Sequence, residues 1–248
     1  ISKGTRSSFL NKKKTQTMSC SFLRHPEGLS GAYDGTFGFH SKRWVFTNMG
    51  CTATHWCKKT QNYHQTYKLL VLCLTKSETI LGSESLLTIF KRAMIDLFHV
   101  NLKFKYMSMD HSLALMRGTR NSFNDVIILQ CWPHLLCAIN ENAYRINNKD
   151  KIEGNLAKIK KDINMIRLSG SRKMFDFTSK IATDYWVNEL GEGKFADWFK
   201  EQYLVPPWNN WDVCASGEAG VVTNQNHQEA AHKVYKYCAT SKSLKMQD

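Results

Sequence analysis

The sequence has no run of 18 or more consecutive apolar residues, and its start has no apolar stretch like that of a secretory signal. We therefore expect neither a transmembrane helix nor a secretory signal. The opening residues, Ile-Ser-Lys-Gly, also lack an initiator Met, which is typical of a fragment of a longer chain. No internal repeat or long low-complexity tract is present. The 248 residues, 42% apolar and 12% aromatic, suffice for one large domain or for a core with an insertion.

The eight scattered cysteines do not form the pattern of a disulfide framework. Cys73 and Cys137 lie within apolar runs, where buried and reduced thiols are expected, and we infer an intracellular protein. Cys51, His55 and Cys57 would share one face of a predicted strand, so that metal ligation there is geometrically feasible. Tetrahedral zinc needs four ligands, however, and we do not expect zinc in this segment.

Acidic residues are scarce relative to basic ones, at 21 Asp and Glu against 34 Lys and Arg, which gives a net charge of +13. An excess of this size suits a polyanionic partner whose phosphates the protein neutralises. The region 145–173 concentrates the imbalance, with nine basic and three acidic residues. This basic face either follows DNA phosphates or is simply solvated. We expect DNA as the partner and no membrane association.

The first half of the chain predicts an α/β fold. Aromatic and branched residues between turn formers predict three strands, at 31–39, 43–54 and 66–75. Apolar spacing then predicts a helix over 83–98, a strand over 102–110, a short helix after it, and a buried strand over 126–129. Three consecutive strands followed by alternating helices and strands are the order of a ribonuclease H-like core, which is a mixed sheet with flanking helices.

The second half of the chain predicts an all-helical insertion that interrupts this core. Apolar residues between Ile152 and Ile166 recur in steps of four and three, and aromatic residues between Phe195 and Tyr203 mark another helix. The predicted organisation is a basic flexible lead-in over 1–28, the first part of the core over 29–134, the helical insertion over 135–222, a C-terminal core helix over 223–240 and a tail over 241–248.

Three acidic residues occur in settings that suit one catalytic site. Asp34 lies on the first predicted strand, Asp110 ends the fourth, and Glu229 opens the late helix. Phosphoryl transfer with two divalent metals needs a few carboxylates that bind the ions. In this hypothesis Asp34 bridges both metals, Asp110 holds one and Glu229 holds the other. Taken singly, each acid is more often a turn or surface residue than a catalytic one.

Four blocks, in this order, resemble those of the Mutator-like element (MULE) transposases. Residues 33–37, Tyr-Asp-Gly-Thr-Phe, are similar to the family's first-acid strand, and residues 107–110 to its second-acid segment. Residues 131–134, Cys-Trp-Pro-His, look like its Cys-Trp-x-His signature, and residues 226–233 are similar to its third-acid block. The resemblance implies a DDE transposase catalytic core with a ribonuclease H-like fold and a helical insertion.

The resemblance also implies an activity, cofactors and a location. Two ions of Mg²⁺ or Mn²⁺ would be held by Asp34, Asp110 and Glu229, and the enzyme would cut DNA at transposon ends and join them to target DNA in the nucleus. A homodimer is a candidate assembly. One alternative is a domesticated or decayed core that binds DNA or proteins without catalysis. A weaker alternative is a ribonuclease H-like nuclease that hydrolyses without joining.

Six further residues are candidates for DNA binding or for support of the site. Cys131 and His134 either contribute to a zinc site or, as we favour, orient groups beside the acids. Trp208 and Trp211 either stack on an unpaired base or close a hydrophobic lid. The remaining two, His232 and Lys233, share the helix face of Glu229 and either contact the scissile phosphate or merely flank it.

Overall fold

The computed structural model describes residues 28–36, 44–146, 152–218, 221 and 228. The described residues form a mixed α/β structure with a five-stranded sheet and six α-helices. The strands are β1 (Leu29–Thr36), β2 (Val45–Cys57), β3 (Asn62–Thr75), β4 (Phe104–Met109) and β5 (Ile127–Gln130). The helices are α1 (Ile80–Phe98), α2 (Leu113–Ser122), α3 (Trp132–Glu141), α4 (Ile152–Arg167), α5 (Arg172–Asn188) and α6 (Gly193–Tyr203), with a 3₁₀ turn at Ala143–Arg145. The predicted lead-in, apart from Gly28, and the predicted tail lie outside these residues.

The strand order in the sheet is β3-β2-β1-β4-β5. The first three strands form an antiparallel meander, in which a tight turn joins Cys57 of β2 to its partner Asn62 of β3. β4 and β5 run parallel to β1, and helices α1 and α2 provide the crossovers that parallel pairing requires. The prediction of an α/β fold with a mixed sheet is therefore confirmed, and β1 and β4 form its centre.

Helices α1 and α2 pack on one face of the sheet. Leu87, Phe90 and Met94 of α1 belong to the same buried cluster as Tyr33 of β1 and Met107 of β4. Their spacing of three and four residues keeps these side chains on one side of the helix. Deep in this layer the Ser83 hydroxyl donates a hydrogen bond of 3.0 Å to the Tyr33 hydroxyl, so that neither polar group is buried without a partner.

Helices α3 to α6 enclose a second hydrophobic core. Ile159, Ile163 and Ile166 of α4 are fully buried there, as the 4-3-4-3 pattern predicts, and they belong to one cluster with Trp186 and Phe199. The chain leaves the helical conformation after Tyr203 and continues in turns and bends through Glu218, so that the described part of the predicted helical run is non-helical beyond that point. No helix within the described ranges is long and apolar enough to cross a membrane.

The segment after α6 returns to the sheet and runs beside β5. The Gln130 amide donates to the carbonyl of Asn210 (2.9 Å), and the Asn210 side chain donates to the carbonyl of Ile128 (3.2 Å). Further along, the Tyr106 hydroxyl donates to the carbonyl of Ser216 (2.7 Å). Trp208 belongs to the hydrophobic cluster of the sheet. These contacts attach the helical region to β4 and β5.

The helical core should depend on the buried stripe of α4. We expect Ile163→Ala to lower the free energy of unfolding by about 2 to 5 kcal/mol, because it opens a cavity at a fully buried position. Met165→Ala on the same helix is the matched control, since that side chain is 58% exposed. Urea denaturation followed by tryptophan fluorescence measures both changes, and equal losses in the two variants would contradict the assignment of this core.

Candidate active site at the ends of the central strands

Asp34 lies on β1, and Asp110 directly follows β4, the strand that runs parallel beside it. In the register of β1 and β4, Ser30 pairs with Tyr106 and Ala32 pairs with Ser108. Each aspartate stands two positions beyond the second pair, and side chains two positions apart in a strand lie on the same face. Continued by two residues, this register predicts that the two acids lie at one level and on one face of the sheet. Their position at the carboxyl ends of parallel strands is where ligands bind in open α/β sheets.

A buried polar network adjoins Asp34. On β2 the residue that pairs with Asp34 is Asn48, and both side chains are buried. The side-chain oxygen of Asn48 accepts hydrogen bonds from the Tyr67 hydroxyl (2.7 Å) and from the Gln228 amide (2.7 Å). The same Gln228 nitrogen also donates to the backbone carbonyl of Asn48 (2.9 Å). Satisfied polar networks of this kind fix the groups around them.

Gln228 brings a distant part of the chain to this network. It is fully buried and helical, and it lies 180 positions from Asn48 in the sequence. Glu229, the predicted third acid, is the next residue and lies outside the described residues, as do His232 and Lys233. An amide carries no charge for a metal, so Gln228 is no candidate for a metal ligand. Its hydrogen bonds instead attach position 228, which precedes Glu229 in the sequence, to Asn48, the strand partner of Asp34.

Asp110 occupies a strongly perturbed electrostatic setting. Burial raises the pKa of Asp110 to about 6, and the negative charge of Glu78 contributes in the same direction. The imidazole of His134 and the backbone amides of Asp110 and Ser112 act in the opposite direction and favour the carboxylate. One carboxyl oxygen, Oδ1, is buried without a hydrogen-bond partner among the described residues. A buried oxygen of this kind suits a carboxyl group that binds a cation.

The Cys-x-x-His pair lies at the start of α3, close to Asp110. The buried residue Cys131 follows β5 as the N-cap of α3, and its amide donates to the carbonyl of Met109 (2.8 Å). The first turn of α3 then carries His134 to within electrostatic reach of Asp110. This placement supports the orienting role for Cys131 and His134. Across the described ranges, no three His, Cys, Asp or Glu side chains are grouped so as to hold a metal ion together.

The Cys51, His55 and Cys57 pattern does not form a compact site. Cys51 belongs to the core under the sheet, where burial raises the pKa of its thiol. Cys57, six positions further along β2, is partly exposed, and six residues of a strand span about 20 Å. Two ligands of one metal cannot lie that far apart. The side chain of His55 lies outside the described part of the structure.

Both candidate tryptophans are buried. Trp211 is fully buried in the helical core, and Trp208 is 7% exposed with its ring 4.3 Å from that of His111. Tyr203 contacts His111 edge-on at 5.2 Å, and burial lowers the pKa of that histidine. These positions support the packing alternative for Trp208 and Trp211. The aromatic contacts to His111, which follows Asp110, join the helical region to the site.

No protein-family model matches this sequence, and no curated protein matches it either. Asp34 and Asp110 lie near the carboxyl ends of two adjacent parallel strands, His134 acts electrostatically on Asp110, and Asn48, the strand partner of Asp34, binds Gln228. Chemically, such a site can bind divalent cations through carboxylate oxygens.

The raised pKa of Asp110 has a consequence for stability. A carboxyl group whose pKa is higher in the folded than in the unfolded chain binds more protons when folded, so stability falls as the pH rises between the two values. We expect Asp110→Asn to raise the free energy of unfolding by about 1 to 3 kcal/mol at pH 7 and by much less at pH 4. Urea denaturation at both pH values measures this. Asp184→Asn, at an exposed position of α5, controls for the loss of one charge, and an equal gain there would contradict the prediction.

The contact between Gln228 and Asn48 is testable by a double-mutant cycle. We expect Gln228→Ala to lower the free energy of unfolding by about 1 to 3 kcal/mol, because it leaves buried polar atoms of Asn48 with fewer partners. Asn48→Ala and the double variant complete the cycle. The coupling free energy should be about 1 kcal/mol, whereas strictly additive losses would show that the two side chains act independently.

Proposed function

We propose that this chain is the catalytic core of a DDE-type DNA transposase that uses Mg²⁺ or Mn²⁺ to cut DNA at transposon ends and to join the freed ends to target DNA. The observation that supports the proposal is the parallel pairing of β1 with β4, since Asp34 lies near the carboxyl end of the first strand and Asp110 directly follows the second. The carboxylate chemistry suits hard divalent cations. The protein would act in the nucleus, with a homodimer as a candidate assembly.

The arrangement of the sheet supports a ribonuclease H-like fold for this proposed core. Its antiparallel meander of three strands is followed by two strands parallel to the first, in the order β3-β2-β1-β4-β5. The segment that carries Glu229 belongs to the same proposed core, and the docking of Gln228 on Asn48 supports its place beside Asp34. The helices α3 to α6, with a hydrophobic cluster of their own, then correspond to the proposed insertion.

In the proposed site the three acids hold the cations, and the neighbouring polar residues support them. Asp34 would bridge two cations, while Asp110 and Glu229 would each hold one of them. When bound, such a pair of ions activates the attacking oxygen and stabilises the leaving oxygen. His134, beside Asp110, favours the ionised form of that carboxyl group, which is the form that binds a cation. Gln228 and Asn48 hold the elements around Asp34 in place.

The distribution of charge supports DNA as the substrate. The net charge is +13, and Lys158 and Lys161 of α4 and Lys173 of α5 are exposed. Arg167, at the end of α4, lies 4.6 Å above the ring of Trp132, which belongs to the Cys-Trp-Pro-His block. A run of basic side chains on the helical region suits contacts to the phosphates of a duplex that approaches the site.

The decisive experiment removes each acid without changing its shape. Asp34→Asn, Asp110→Asn and Glu229→Gln should each reduce metal-dependent nicking of a supercoiled plasmid, and strand transfer from a 3′-hydroxyl duplex, by on the order of 100-fold or more. Glu153→Gln, at an exposed position of α4, is the matched control and should keep full activity. Circular dichroism verifies that each variant is folded. Full activity in any of the three variants would remove that residue from the site.

The same assay separates the alternatives. Salt-dependent DNA binding without metal-dependent nicking would identify a non-enzymatic DNA-binding core. Nicking without a joined product would identify a nuclease that hydrolyses only. Joined products that require both the added metal and the three acids support the transposase proposal.

A further inference from the structure

Glu78 is an acidic residue near the proposed site to which the proposed function gives no role. It lies between β3 and α1, immediately before Thr79, the N-cap of α1. Its side chain is partly buried and reaches two places that are far apart in the sequence. One is Ser112, just after the end of β4, and the other is Gly35, near the end of β1.

The first contact fixes the turn that follows Asp110. The Ser112 hydroxyl donates a short hydrogen bond to one carboxylate oxygen of Glu78. The Ser112 oxygen also accepts a hydrogen bond of 3.2 Å from the amide of Leu115, so that Ser112 is the N-cap of α2. A hydrogen bond to an ionised carboxylate is roughly twice as strong as a neutral one. Glu78 therefore holds the cap, and the cap holds the turn that begins at Asp110.

The second contact explains why glycine follows Asp34. A Cβ atom added at Gly35 would lie well inside van der Waals contact with the other carboxylate oxygen of Glu78. The next nearest group, the Val45 side chain, is at an ordinary 3.4 Å. The backbone of Gly35 is not in the left-handed region, so a larger residue is opposed here only by the space that the Glu78 carboxylate occupies. The Glu78 carboxylate thus occupies the place of a side chain at Gly35, the residue that follows Asp34 in β1.

We propose that Glu78 is a positioning residue that links the ends of β1 and β4 and thereby fixes the relative placement of Asp34 and Asp110. The effect of Glu78 on catalysis rests on the function proposed above, whereas the structural link between the two strand ends does not depend on any activity. Glu78 acts through Ser112 and through the space at Gly35, and it is not assigned a metal or a substrate.

Two substitutions disturb this link from opposite sides. Glu78→Ala removes the carboxylate, and Gly35→Ala displaces it by adding a methyl group where the carboxylate lies. The tip of a glutamate side chain moves easily, and alanine is compatible with a strand, so Gly35→Ala should leave the fold intact. Glu78→Gln keeps an oxygen acceptor of the same reach and is the conservative variant. The double variant of Glu78→Ala with Gly35→Ala tests whether both changes act through one contact.

Hydrogen exchange measures the structural link without reference to activity. Glu78→Ala and Gly35→Ala should each speed exchange at the amide of Leu115 by about tenfold, which is the usual value of a helix cap. The amide of Met174 is a matched internal control, because Ser171 caps α5 by the same hydrogen bond (3.3 Å) in the helical region. Unchanged exchange at Leu115, or equal acceleration at Met174, would overturn the link.

The plasmid nicking and strand-transfer assay measures how much the link contributes to the rate of catalysis. Glu78→Ala and Gly35→Ala should each reduce the rate about tenfold or more at saturating DNA, with unchanged DNA affinity. The double variant should be no slower than Glu78→Ala alone, and Glu78→Gln should retain most of the rate. The positioning role would be overturned if the rate reductions of the two single variants multiplied in the double variant. It would also be overturned if Glu78→Gln reduced the rate as much as Glu78→Ala.

The two proposals fail in different ways. If the wild-type chain neither nicks nor joins DNA while Leu115 responds as expected, the proposed function fails and the structural link stands. If the wild-type chain is active and Glu78→Ala leaves both the rate and the exchange unchanged, the function stands and the inference about Glu78 fails.

Discussion

The parallel pairing of β1 with β4 is the constraint on which the rest of the site depends. It sets Ala32 opposite Ser108, and the same register, continued by two residues, predicts that Asp34 and Asp110 share a level and a face. A slip of one residue would turn one of the aspartates to the opposite face, into the layer that Leu87 and Phe90 of α1 occupy. The burial of apolar side chains on that face therefore fixes the position of the acids on the other. Packing energy, which involves neither aspartate directly, decides the geometry of the site.

Around this pair the structure places groups that are unfavourable for folding when considered alone. Asp110 is buried close to a second carboxylate, that of Glu78, and burial and like charge both oppose its ionisation. The compensations are local: the imidazole of His134, the backbone amides at the start of α2, and the hydrogen bond from Ser112 to Glu78. Such an arrangement is typical of sites where stability is given up for chemistry. It also accounts for the Cys-x-x-His pattern, since the cap at Cys131 begins the helix that carries His134.

The parts of the fold that depend on local pattern could be predicted from the sequence, and those that depend on distant contacts could not. The period of apolar residues predicts the strand that precedes Asp110 and the buried face of α4. The predicted order of strands and helices up to β5 is confirmed. Glu78 gave no signal, because its partner Ser112 lies 34 positions away and a glutamate before a helix is ordinary. Gln228 gave no signal either, because an amide carries no charge for a metal and its partner Asn48 lies 180 positions away. Helix α5 has no clear apolar stripe in the sequence, because small polar residues such as Ser179 and Thr183 occupy buried positions.

The return of the chain along β5 has a consequence for how this molecule can associate with others. On the outer edge of β5, the carbonyl of Asn210 accepts a hydrogen bond from the Gln130 amide, and the Asn210 side chain donates one to the Ile128 carbonyl. These two backbone groups of β5 are therefore not available to pair with an incoming strand. Of the described strands, β3 is the other edge of the sheet, and it carries the outward-facing side chains of Leu72 and Leu74. Extension of the sheet by a second polypeptide, whether in a productive complex or in aggregation, is thereby made asymmetric. Growth is blocked beside the helical region, and among the described strands it is directed to β3.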